Sequence, residues 1–184
     1  MSSKLFAVYL GGGAPKCNTE LHDVVFAVGE SIEDTYEQLM DKWFGTPKGL
    51  HLDSWMELTV VDGYEIAIAD KKPDRKEKLF FINLGAYVDG EFTEHHANMF
   101  LVAESKEEAK EKGKAALSHK WVNRPHTDDL YDVDDCLEVG DLGGAYVVLE
   151  KTGAGNQMQP VNGYHLIPKG IVEDYMARKL KRAG

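Results

Sequence analysis

The chain has 184 residues, 43% of them hydrophobic and 28% charged, with a formal net charge of −10; this is the balance of an ordinary globular domain. The charge is uneven, because residues 169–184 hold five basic against two acidic residues and leave the body still more acidic. An acidic body repels a phosphate backbone, which excludes a nucleic-acid footprint, and no apolar stretch reaches the roughly 18 residues that a membrane helix needs.

Cys17 and Cys136 are the only cysteines. Two isolated thiols build neither a disulfide framework nor a zinc-type spacing, so a reducing compartment is expected. The opening residues Met1 to Phe6 lack the apolar core of a secretion signal, and the expectation is a cytoplasmic protein.

In chain order, Leu5 to Leu10 is a β-prone apolar run ended by Gly11-Gly12-Gly13, which reads as a buried strand followed by a loop. A second strand is expected from Glu20 to Val28, with His22, Val24, Phe26 and Val28 on one face and Asp23 on the other. Ser31-Ile32-Glu33-Asp34 has the form of a capping box. From there Ile32, Tyr36, Leu39, Met40 and Trp43 recur at helical spacing until Gly45 and Pro47 stop the helix. The runs Met56–Val61 and Tyr64–Ile68 flank Asp62-Gly63, a strong hairpin signal.

Residues 78–111 then restate residues 4–37 at a constant shift of 74, with 14 of 34 aligned positions identical and no gap. A tandem repeat of this kind sets the architecture. The second copy turns at Asp89-Gly90, caps a helix with Ser105-Lys106-Glu107-Glu108, and runs four residues further before Trp121 than the first does before Trp43. Four residues are about one turn, so the helix lengthens without leaving its phase. Its expected inner face is small: Ala109, Gly113, Ala116 and Leu117; Asn123 and Pro125 end it. Leu137–Val139 and Ala145–Leu149 form the matching hairpin, Tyr164–Pro168 is a short extended piece, and Ile171, Val172, Tyr175, Met176 and Leu180 line one face of a C-terminal helix.

Lys4 to Gly11, Glu20 to Phe26 and Val61-Asp62-Gly63-Tyr64 resemble the domain of unknown function 1543, strongly in the first repeat and more loosely in the second. The resemblance implies a bacterial cytoplasmic protein carrying two copies of the domain. It implies no reaction and no catalytic residues.

The candidate site follows from hairpin geometry. Antiparallel pairing of the first two strands brings Gly11, Gly12 and Gly13 beside Glu20 and His22, and the same pairing in the second repeat brings Gly85 beside Glu94 and His96. A glycine turn offers N–H groups to an anion, and His22 or His96 beside it would serve as acid or base. His51-Leu52-Asp53 and His126-Thr127-Asp128 stand in matching places after the two helices, each an imidazole and a carboxylate two residues apart. Two donors fall short of a zinc site. The seven acidic residues between Asp128 and Asp141 lack the glycine and glutamate of an EF-hand. No nucleophile motif is present, and the tryptophans read as core.

The expected fold is α+β: two tandem ββαββ-type repeats, β-grasp-like first and ferredoxin-like second, each a sheet with one helix on a face, plus a C-terminal helix. The expected divisions are residues 1–70, a charged connector at 71–77, 78–150, and a loop and helix over 151–184. The expected role is a non-enzymatic binding or protein-interaction module, with a small-molecule enzyme using His22 or His96 as the alternative. Gly11, Gly12, Gly13, Glu20, His51, Asp53, Glu94, His126 and Asp128 are the expected ligand-binding residues. No metal or cofactor is expected. The partner would be a small molecule or protein, with a homo-oligomer possible and no nucleic acid or membrane.

Overall fold

A computed structural model describes residues 3–87, 90–120 and 132–183. Trp121, Asn123, Pro125, His126, Asp128 and Asp89 lie outside the described residues, as does the side chain of Leu117. The chain is a mixed α+β protein whose strand pairings among the described residues are all antiparallel, with three α-helices including a C-terminal one. It divides into two compact units, Met1–Thr59 with Gln157–Gly184, and Val60–Asn156. These units are defined by packing and the repeats by sequence, so the two divisions differ.

The first unit holds β1 (Lys4–Gly12), β2 (Leu21–Gly29), α1 (Tyr36–Lys42), β3 (His51–Glu57), β10 (Val161–Leu166) and α3 (Lys169–Ala183). Its sheet runs β10-β3-β1-β2. Phe6, Val8 and Leu10 of β1 share a face with Val25 and Ala27, and that face packs on Leu39, Met40 and Trp43 from the α1 side and Val172 and Tyr175 from α3. Alternation therefore sends Tyr9 and Gly11 to the opposite face. Three local expectations change. Gly11 and Gly12 belong to β1 rather than to a loop, because each finds a ladder partner in β2. His51 to Asp53 belong to β3 rather than to a loop, because β1 and β10 pair with His51 and Leu52 from either side. The helix begins later than Ser31: a 3-10 turn, Glu33–Thr35, precedes α1. There the Ser31 hydroxyl donates to Asp34 at 2.9 Å instead of accepting a backbone N–H.

The C-terminal helix docks through two of the five residues of its expected face. Val172 and Tyr175 are buried, whereas Ile171, Met176 and Leu180 are exposed. Tyr175 donates to Asp41 at 2.9 Å, Lys179 pairs with the same carboxylate, and Arg178 pairs with Glu37.

The second unit holds β4 (Val60–Val61), β5 (Tyr64–Ala69), β6 (Lys78–Tyr87), β7 (Glu94–Ala103), α2 (Lys106–Lys120), β8 (Asp132–Glu138) and β9 (Tyr146–Lys151), in sheets ordered β4-β5-β9 and β7-β6-β8. The Asp62-Gly63 hairpin forms with Val61 opposite Tyr64. Its second strand then finds a distant partner: Tyr64, the first residue of β5, lies opposite Lys151, the last of β9, while Tyr146, the first of β9, lies opposite Ala69, the last of β5. That ladder is symmetric about its own midpoint. Helix α2 packs Ala109 on a core of Phe80, Ile82, Leu84, Leu101 and Ala103. A side chain at Gly113 would press on Ile82 at 3.3 Å, whereas Ala116 is exposed.

Candidate functional site

Gly11 is the centre of the site, for a reason of register. On β2 its partner is His22 and on β3 its partner is His51. Cross-strand partners point to the same face, and here that face is the one turned away from α1 and α3. Strands lie about 4.8 Å apart, so the two histidine backbones stand roughly 10 Å apart with only a glycine between them. The slot above Gly11 is filled by side-chain ends instead: a Cβ at Gly11 would lie 2.5 Å from Nε2 of His51 and would overlap Oδ2 of Asp53.

Asp53 reaches the slot through a β-bulge. Leu52 pairs with Leu10 and Ser54 with Tyr9, so Asp53 is the extra residue without a partner on β1. Bulges re-aim side chains in this way, and they concentrate beside functional sites. Glu20 enters from just before β2.

The four groups interlock. Nε2 of His51 lies 3.1 Å from Oε1 of Glu20 and 3.4 Å from Oδ1 of Asp53. Nε2 of His22 lies 3.2 Å from Oδ2 of Asp53 and 3.8 Å from Oε2 of Glu20. His51 is buried at 1% exposure, with the Tyr164 ring over it at 4.1 Å between centroids. The His22 side chain is 38% exposed and stacks on Tyr9 at 5.3 Å. Burial pushes the Tyr9 phenol pKa up, and the Asp53 carboxylate adds to the rise.

Hydrogen bonding fixes the His51 tautomer. Its Nδ1 sits 3.0 Å from the Gly49 carbonyl. A carbonyl only accepts, so Nδ1 carries the proton and the neutral ring presents Nε2 as an acceptor. Nε2 of His51 and Oδ2 of Asp53 are both buried and make no hydrogen bond. Both atoms lie among carboxylate oxygens in the slot, an arrangement that is costly without positive charge on a ring or on a ligand. Among the described residues no group of three or more His, Cys, Asp or Glu stands ready-made around a metal position.

Of the sequence candidates, the structure brings Gly11, Glu20, His22, His51 and Asp53 together. Gly12 points to the other face, where a side chain would meet Trp43 and Leu50, and Gly13 has open space around it. The second unit repeats part of the pattern. Gly85 pairs with His96 on β7, and His96 lies 3.7 Å from Glu94. On β8, however, Gly85 pairs with Asp132. By ladder register Asp132, rather than His126, takes the place of His51. Sequence reasoning missed Tyr9 and Tyr164; Tyr164 arrives on β10, more than a hundred residues away, and leaves no local signal.

Residues 17–68 match the family model for the Domain of Unknown Function (DUF1543). The chain is also similar to the crystal structure of a protein Il1583 from Idiomarina loihiensis, at 38% identity over 91% of this chain and 99% of that one, with a TM-score of 0.72. The chain belongs to the DUF1543 family. The family model matches one copy rather than the expected two. That match spans Glu20, His22, His51 and Asp53, and the exchange of His51 for Asp132 is one way in which the second half departs from it. No curated protein matches the chain.

Proposed function

We propose that this DUF1543 protein is a binding module whose site is the Glu20–His22–His51–Asp53 cluster, and that its ligand is cationic. One observation carries this: His51 Nε2 and Asp53 Oδ2 are buried without a hydrogen bond, and two carboxylates, Glu20 and Asp53, stand 3.1 and 3.4 Å from that nitrogen. With neutral imidazoles the cluster carries two negative charges, so an anion at the glycine strand is disfavoured and a cation favoured. We also propose that the tandem plan extends to ββαββ units. The support is the shared register, Gly11 to His22 and Gly85 to His96, and a bulge at the same step of each second pairing, Tyr9/Leu10 and Asn83/Leu84. A cytoplasmic setting suits the two unpaired thiols, one of them exposed. The acidic body argues against nucleic acid as a ligand.

The test is a thermal-shift and calorimetric screen of divalent metals, alkylammonium and guanidinium compounds and polyamines. Wild-type protein should bind and be stabilised by at least one class, and Glu20→Gln with Asp53→Asn together should abolish that response. Absence of binding by wild type, or binding unaltered in the double variant, overturns the proposal.

An acid/base enzyme is the second reading. It is favoured by the His22–Asp53 pair, which is 3.2 Å apart and has a third of the imidazole surface open to solvent. A turnover lost in His22→Gln and kept in His96→Gln would select it.

A further inference from the structure

We infer that β10 is a self-association edge, pairing antiparallel with the same strand of a second copy of the chain about a two-fold axis at Tyr164, whatever ligand the slot takes.

β10 ends the sheet ordered β10-β3-β1-β2, so strand pairing occupies one of its edges and leaves the other open. Every residue from Val161 to Leu166 is exposed. Sheet edges are ordinarily guarded against pairing by charged side chains. Among the described residues, each other edge strand longer than two residues carries such a charge: Asp23 on β2, Glu94 on β7, Glu138 on β8 and Lys151 on β9. β10 reads Val-Asn-Gly-Tyr-His-Leu and has no carboxylate, ammonium or guanidinium. In a chain of net charge −10, it is the edge where two copies meet without opposed like charges.

The exposed flank of α3 borders the same edge. Arg178 and Lys179 reach Glu37 and Asp41 of α1, and α1 sits over β2, where Lys42 and Gln38 donate to the carbonyls of Phe26 and Val28. At about 100° per residue, Met176 and Leu180 fall beyond the buried Val172 and Tyr175, on the flank of α3 away from α1. That flank looks toward the β10 end of the sheet, with Met176 42% and Leu180 73% exposed. Val161, Tyr164 and Leu166 of β10 are exposed as well. With the strand backbone these side chains offer on the order of 500 Å² a copy, about 1,000 Å² for a pair, which reaches the lower bound of a specific interface.

The faces of β10 set the register. Asn162 pairs with Ser54 and Leu166 with His51, and the Tyr164 ring lies over His51, so these three point away from the helices. Val161 pairs with Trp55 and His165 with Leu52, on the helix side. A two-fold axis perpendicular to the sheet keeps each face on its own side, so the residue at the axis pairs with its own copy. Centring on Gly163 would set Leu166 opposite Pro160, which has no N–H for a ladder. Centring on Tyr164 pairs Asn162 with the partner's Leu166 and His165 with the partner's Gly163. It also sets the two Tyr164 rings side by side, a stabilising kind of cross-strand pair. One sheet then runs through both copies, with both α3 helices on one side and their Met176 and Leu180 flanks turned toward each other.

The experiment is sedimentation equilibrium of the full chain up to about 100 µM, above the micromolar range expected of an interface this size. Wild type should reach twice the 20.5 kDa of one chain. Tyr164→Lys opposes like charges at the axis and should be monomeric, as should Tyr164→Asp. An equimolar mixture of the two should recover the dimer, because a self-paired position then brings lysine against aspartate. Phe92→Lys, on another exposed aromatic, should remain dimeric. Circular dichroism shows that the variants fold; should the Tyr164 variants not fold, hydrogen exchange of wild type decides. Amides of Val161–Leu166 should then slow across the concentrations over which the mass doubles, while those of the opposite edge strand β2 should not. A monomeric wild type, a dimer that survives Tyr164→Lys, or exchange in β10 indifferent to dimer formation overturns the edge. A mixture of the lysine and aspartate variants that stays monomeric overturns the axis at Tyr164.

Discussion

Gly11 and His51 are ladder partners, and a Cβ on the glycine would stand 2.5 Å from the buried Nε2 of the histidine. The absence of a side chain at Gly11 is what lets two imidazoles and two carboxylates share one slot. Gly11→Ala must displace a ring that is 1% exposed, so it should destabilise the chain by about 1–3 kcal/mol, the range for overpacking. Gly13→Ala meets nothing within 4 Å and should stay within about 0.5 kcal/mol. Paired denaturant melts of the two variants check this; equal effects would show that the slot is not tightly filled.

The two serine caps resemble each other in sequence and differ in what they do. Glu108 donates its backbone N–H to Ser105 Oγ at 3.2 Å and accepts from Glu104 N–H at 2.8 Å. Ser31 instead donates its hydroxyl to Asp34. Ser105→Ala should therefore cost about 0.5–2 kcal/mol, the range for losing an N-cap. Ser31→Ala, which leaves the Ser31 N–H to Asp34 bond intact at 2.8 Å, should cost less. Chemical denaturation of both single variants gives the comparison.

What was legible in the sequence was local. Alternation put His22 on the right face, Asp62-Gly63 announced its hairpin, and the helical phase found α1, α2 and α3. Cross-strand register could be guessed for β1 with β2, since a hairpin constrains it, and so Gly11 and His22 were found together. The partners from afar were not legible. His51 looked like a loop residue because β10, more than a hundred residues on, is what makes β3 an inner strand. The bulge that turns Asp53 into the slot has no sequence signature here. Spacing after the helix suggested His126 as the match to His51, yet the ladder gives Asp132; extra residues ahead of a strand shift the spacing while leaving its sheet register alone.

The docking of α3 is sensitive to acid. The Lys179 ammonium, hydrogen-bonded to Asp41, holds that carboxyl below its ordinary pKa, with the Tyr175 hydroxyl assisting. A carboxyl depressed on folding contributes stability that is complete above the unfolded value of about 3.9 and is lost as pH falls through the folded value. Hydrogen exchange in Val172–Leu180 should accelerate, relative to the strands, only at pH below about 4. Asp41→Asn should show the faster exchange already at pH 7. Protection in α3 that is unchanged in the variant would show that Val172 and Tyr175 hold the helix alone.

Tyr9 provides an optical report on the charge in the slot. Its phenol pKa is raised by burial first and by Asp53 second. A raised tyrosine contributes stability that is intact below the unfolded value of about 10 and is lost as pH rises toward the folded value, because the unfolded chain ionises first. Tyr36 and Tyr175 are raised as well, so ultraviolet titration should find several tyrosines ionising late in wild type, and Tyr9 alone earlier in Asp53→Asn, where the carboxylate is gone. A cationic ligand held beside Asp53 should move Tyr9 in the same direction as that substitution, since positive charge favours the phenolate. Tyr9→Phe identifies the residue by removing its share of the late transition and with it the response to Asp53→Asn. A Tyr9 transition indifferent to Asp53→Asn would place the rise on burial alone and detach Tyr9 from the site.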